Sequence, residues 1–138
     1  MSFDRKINRS VEIARALKSK YTTGRSFHIT VIFEKNKIIS IGINNYLKTH
    51  PKAYKYMKKE VVNESSYLPS IHSELSAVLK LGEEDCSNYS FINVRLDNNN
   101  QINNSRPCSG CIELLKQVGF NQFHYSNEKG VFVSYEKD

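Results

Sequence analysis

Ile71-His72-Ser73-Glu74-Leu75-Ser76-Ala77-Val78-Leu79-Lys80-Leu81-Gly82 joins a helical apolar stripe to a chemically loaded first turn. Ile71, Leu75, Val78, Leu79 and Leu81 recur at helix spacing, and Gly82 stops the run. Downstream, Phe91 to Leu96 reads as a strand, and Asp97 to Asn100 is turn chemistry. Cys108 to Val118 is a second helix, with Ile112, Leu115 and Val118 on one face and Gly119 closing it. Two short strands follow, Gln122 to Tyr125 and Val131 to Tyr135.

Upstream, residues 3 to 21 form an amphipathic helix on Phe3, Ile7, Val11, Ala14, Leu17 and Tyr21, with Asp4 at its start. Phe27, Ile29, Val31 and Phe33 alternate with His28, Thr30, Ile32 and Glu34, which is strand periodicity. Lys35 to Lys37 turn the chain into a partner strand, Ile38 to Ile43. Residues 45 to 70 break the pattern with Pro51, Pro69 and many Lys and Tyr, a stretch too long for an idle connection. The order α-β-β-α-β-α-β-β argues for an α/β, three-layer α-β-α fold around a central mixed sheet of about five strands.

The chain has 138 residues, the length of a single domain spanning 1–138. At 39% apolar and 25% charged residues it reads as a soluble globule. No apolar run approaches the roughly 18 residues of a membrane span, and the first residues lack the apolar core of a signal peptide. A cytoplasmic location is expected, with no membrane partner. A net charge of +6 favours anionic partners: nucleotides, nucleic acid or an acidic surface. Three cysteines, two of them spaced as Cys108-Ser109-Gly110-Cys111, suit a reducing compartment and a metal or redox role. Cys86 reads as a half-buried bystander.

Two motifs carry the chemistry, His72-Ser73-Glu74 and, 36 residues later, Pro107-Cys108-Ser109-Gly110-Cys111. Each opens a predicted helix, where free N–H groups and partial positive charge suit thiolates and a developing oxyanion. One imidazole and two thiolates form a three-ligand zinc site with a fourth position left for water. Glu74 stands close enough to His72 to serve that water without being a ligand. Separately the motifs are weak. Cys-x-x-Cys also fits a redox pair or a closed structural site, for which Cys86, His50 and His124 are the candidate fourth ligands.

Together, in this order and with Pro107 before the first cysteine, the motifs match the signature of zinc deaminases. The chain resembles the cytidine/deoxycytidylate deaminase superfamily over most of its length. That resemblance implies a cytidine-deaminase-like fold, a zinc ion held by His72, Cys108 and Cys111, and Glu74 as proton shuttle. It also makes Asn44, at the end of Gly42-Ile43-Asn44, a sugar contact. Family members usually form homo-oligomers.

Two departures stand out. Ser73 occupies a position usually held by Ala, and Asn44 to Pro51 replace the Gly-Tyr-Asn-Gly loop of typical dCMP deaminases. The segment Lys48 to Glu60 holds five lysines and one acid, and with Tyr54 and Tyr56 it can grip a 5′-phosphate or form a solvated basic face. The candidate substrate contacts are therefore Asn44, Ser73, Pro107, Lys48 and Arg106. His28 and His124 read as structural or surface residues. The expected reaction is deamination of a small-molecule cytosine-type nucleotide, dCMP or a 5-substituted relative first. The alternatives are a polynucleotide deaminase (tRNA adenosine or single-stranded DNA cytosine) and a non-catalytic, zinc-stabilised nucleic-acid-binding module.

Overall fold

A computed structural model of the chain describes residues 3–20, 27–44 and 72–135. Helix α1 (Phe3–Lys18) precedes the hairpin β1 (Phe27–Glu34) and β2 (Lys37–Ile43). Helix α2 (Ser73–Leu81), β3 (Ser90–Leu96), β4 (Ile102–Asn103), helix α3 (Ser109–Val118), β5 (Gln122–Ser126) and β6 (Phe132–Ser134) complete the described order. The sheet runs β2-β1-β3-β5-β6, with β4 paired on β3.

β1 is antiparallel to both β2 and β3, so those two run the same way, and β5 lies parallel to β3. The carboxyl ends of β2 and β3 therefore share one edge of the domain, the edge where open α/β sheets bind ligands. The described sheet has six strands because the Asp97 side chain accepts the Asn99 and Gln101 N–H groups and folds the chain back. The resulting two-residue β4 is too short to leave a periodic signal.

Both sheet faces are covered. Val11 and Ala14 of α1 pack on Phe27, Ile29, Val31 and Phe33 of β1 and on Ile92, Val94 and Leu96 of β3. On the other face, Leu75, Ala77 and Val78 of α2 and Leu114, Leu115 and Val118 of α3 meet Ile32, Phe91 and Phe123. Alternation in β1 thus separates two covered faces rather than core from solvent. The expected first helix extends to residue 21, but α1 ends at Lys18, where the Lys20 N–H turns back on the Leu17 carbonyl at 2.9 Å. That is the tighter i→i−3 bond that often closes a helix.

Gly42 fixes how closely α2 lies on the sheet. A Cβ there would stand 2.1 Å from the Ser73 carbonyl oxygen and 2.3 Å from the Ala77 nitrogen. Beside it, the Ser40 hydroxyl donates to the Ala77 carbonyl at 2.7 Å. The start of α2 is thereby seated directly against β2.

Candidate metal and catalytic site

His72 and Cys108 are the N-cap residues of α2 and α3, both in extended backbone. Their carbonyls accept the first helical bonds, from Ser76 at 3.0 Å and Ile112 at 2.9 Å. The His72 side chain caps nothing, and its Nδ1 lies 3.4 Å from each of the Cys108 and Cys111 sulfurs. The three ligand atoms all fall within 4.8 Å of one another. Zinc bonds of about 2.05 Å to nitrogen and 2.3 Å to sulfur, at tetrahedral angles, set N···S at about 3.6 Å. The donor set therefore fits a zinc ion without rearrangement.

The thiol chemistry agrees. The hydrogen bond from Cys111, with His72 behind it, holds the Cys108 thiol down to about 5 against the opposing effect of burial. Cys86 lies wholly in the apolar core between α2 and α3, so it is more buried than the sequence reading had it. His124 stacks on Phe3, ring centroids 4.3 Å apart, on the α1 side. Among the described residues, neither joins the ligand group; His50 lies outside them.

Glu74 is buried in the first turn of α2, and burial pushes its carboxyl pKa up. The Ser73 hydroxyl reaches one carboxylate oxygen at 3.0 Å, and the Asn93 amide donates to the other at 3.1 Å. His72, Ser73, Glu74 and Cys108 line a cavity of about 160 Å³ together with His28, Asn44, Ser105 and Arg106.

Asn44 accepts the His28 N–H on its side-chain oxygen at 2.9 Å, while its own N–H donates to the His28 carbonyl at 3.2 Å. Its oxygen thus serves the strand, and its NH₂ is the group it can offer the cavity. Arg106 sits at the mouth. Its guanidinium lies 5.7 Å from the centres of the Tyr125 and Tyr135 rings and donates to the Tyr125 hydroxyl at 3.0 Å. Pro107 is buried just ahead of Cys108 and is not among the described lining residues. Lys48 and the basic segment to Glu60 lie outside the described residues.

His28 corrects the sequence reading. It is a cavity residue, because the β1 face assigned to solvent is the face under α2. Burial first, then Arg95 and His72, lower its pKa to about 4, so it is neutral at neutral pH. Thr30, Asn93 and Ser105 were also missed. For Thr30 and Asn93 the signal, a polar side chain on a strand of otherwise apolar character, is the same one that a solvent face produces, and Ser105 lies in the turn before α3.

A sheet with two helix starts presenting one imidazole, two thiolates and a buried carboxylate at the same edge defines a metal-dependent hydrolytic class of protein. The family model for the cytidine and deoxycytidylate deaminase zinc-binding region matches residues 4–127, and the chain belongs to that family of zinc-dependent deaminases. A solved structure of cytidine deaminase from Burkholderia pseudomallei is similar in fold, with a TM-score of 0.53 at 15% identity. The match covers 91% of this chain and 87% of that one. No curated protein matches the chain in sequence.

Proposed function

We propose that the protein deaminates a free cytosine-type nucleotide, dCMP or a 5-substituted relative foremost, to the uracil-type product and ammonia. The observation that carries this reading is Glu74, a buried carboxylate beside the His72, Cys108 and Cys111 trio with its pKa pushed up. A closed structural site has no use for such a group, whereas proton transfer near neutral pH requires one.

Zinc held by those three side chains supplies a Lewis acid that makes water nucleophilic at neutral pH. Glu74 takes the proton of the attacking water as oxygen bonds to C4, and delivers it to ring N3. It then carries the hydroxyl proton to the exocyclic amine, the C4–N bond breaks and ammonia leaves. Backbone N–H groups at the starts of α2 and α3, near Ser73 and Cys108, steady the charge that develops. The Asn44 NH₂ meets the sugar, and Pro107, buried just ahead of Cys108, shapes the turn that presents the first thiolate.

Arg106 at the cavity mouth supports a phosphorylated substrate. Its guanidinium is already ordered over two rings, so little side-chain entropy remains to be lost on binding phosphate. Lys48 adds charge from the segment that follows Asn44. The thiolate ligands suit a reducing, cytoplasmic setting, and the family resemblance implies a homo-oligomer.

Ammonia release from dCMP, 5-methyl-dCMP, CMP, dCTP, cytidine, single-stranded DNA and tRNA tests the reading. The expected result is turnover of a monophosphate that drops sharply when the phosphate is absent. Glu74→Gln should keep its zinc and lose at least about a hundredfold in kcat, the usual scale for acid–base loss. Near-normal turnover in that variant, or turnover of polymer alone, would overturn the proposal.

A further inference from the structure

Beneath Glu74, Thr30, Ser73, Asn93 and Ser105 form a hydrogen-bonded set of polar groups. Thr30 on β1 and Asn93 on β3 are cross-strand partners, both at most 2% exposed. The Asn93 amide nitrogen donates one hydrogen to Glu74 at 3.1 Å and the other to the Ser105 carbonyl at 3.1 Å. Its amide oxygen accepts from the Thr30 hydroxyl. The Thr30 hydroxyl oxygen lies 2.8 Å from that of Ser73, which in turn donates to the remaining Glu74 oxygen at 3.0 Å.

Each of these contacts costs desolvation of polar groups in a packed interior, so the buried groups are kept where their partners hold them. Asn93 has both amide hydrogens and its oxygen engaged, which leaves it nothing to offer a substrate. What it does is join two separate pieces of the site. Glu74 belongs to α2, and Ser105 belongs to the turn that delivers Arg106 and Cys108 to α3. The same turn is anchored again where the Ser105 hydroxyl donates to the Asn93 carbonyl at 3.0 Å and the Ser105 N–H to Ser126 at 2.8 Å.

We propose that Asn93, backed by Thr30 and Ser73, is the positioning residue that sets the Glu74 carboxylate against the Cys108 turn. The inference rests on the acid–base role of Glu74 proposed above. Asn93 fixes the carboxylate in distance and rotation, so its loss lowers the rate of proton transfer without changing how substrate is held. An ångström of misplacement in such a group costs on the order of a hundredfold in rate.

Asn93→Ala and Thr30→Val are assayed on dCMP, or on whichever member of the panel the wild type turns over, with zinc content measured beside kcat and KM. The expected result is full zinc, KM within about twofold of wild type, and kcat lowered about 10- to 100-fold in Asn93→Ala and less in Thr30→Val. In a Glu74→Gln background, Asn93→Ala should cause little further loss in kcat, because the Ser105 turn keeps its bonds to the Asn93 carbonyl and to Ser126. Thr30→Val keeps the side chain's shape, so it carries the test should Asn93→Ala fail to fold. Unchanged kcat in both variants overturns the inference, as does a loss that multiplies undiminished in the Glu74→Gln background. If Glu74→Gln alone turns over normally, the acid–base reading fails first and this inference falls with it.

Discussion

Two cysteines of this chain sit in opposite chemical settings. Burial, with Glu83 and Asp85 nearby, pushes the Cys86 thiol up to about 11, whereas the hydrogen bond from Cys111 and the His72 ring hold Cys108 down to about 5. A thiolate is the metal-binding form, so only one of the two thiols is poised for zinc. Purified Cys108→Ala should therefore lose most of its zinc, while Cys86→Ala keeps about one ion per chain and shows only the modest instability of a small core truncation. Metal analysis of the two variants side by side checks this, and equal zinc loss from both would reject the ligand assignment. At this scale the sequence was legible where a residue's chemistry is scarce. Histidine, glutamate and paired cysteines at two helix starts had few other uses. Asn93 and His28 were not legible, because their roles depend on the layer that covers their strand.

Helix α2 meets the backbone of β2 directly at Gly42, beside the side-chain packing of Leu75, Ala77 and Val78. Gly42 is chosen for that contact and not for its backbone angles, since a Cβ would collide with backbone atoms of Ser73 and Ala77 that have no rotamer to escape into. Gly42→Ala should push the start of α2 outward and carry His72 and Glu74 with it. A destabilisation of about 1–3 kcal/mol is expected from overpacking. Turnover should fall further than that loss of stability explains, because the displaced groups are the site itself. Thermal unfolding and ammonia release measured on one preparation decide it; wild-type values for both would mean that α2 does not rest on Gly42. The helices and main strands were visible from periodicity and stop signals. The function of Gly42-Ile43-Asn44 was half visible: Asn44 was read as a contact, but the close approach at Gly42 depends on which helix packs there.

At the scale of the molecule, the pairing of β1 with β3 and of β3 with β5 joins segments far apart in sequence, and no local pattern specifies such order. The layer count followed from the element order, whereas the shared edge that gathers His28, Asn44, His72 and Cys108 required the register. Net charge is the other whole-molecule property, and at +6 it attracts a mononucleotide and a polynucleotide alike. Salt separates them. A single strand whose phosphates were neutralised at three places would release condensed counterions, giving a log–log slope near −2 and an affinity loss of more than about tenfold between 50 and 200 mM salt. A mononucleotide has no condensed layer to release and feels only screening over the Debye length. For dCMP, the proposed substrate, KM should therefore rise more gently across that range while kcat stays level, because Glu74, the proposed proton carrier, is buried. Steady-state rates at four salt concentrations, on dCMP and on a cytosine-containing oligonucleotide, read both slopes directly. Steep loss on the oligonucleotide with no turnover of any monomer would reassign the basic surface to a strand.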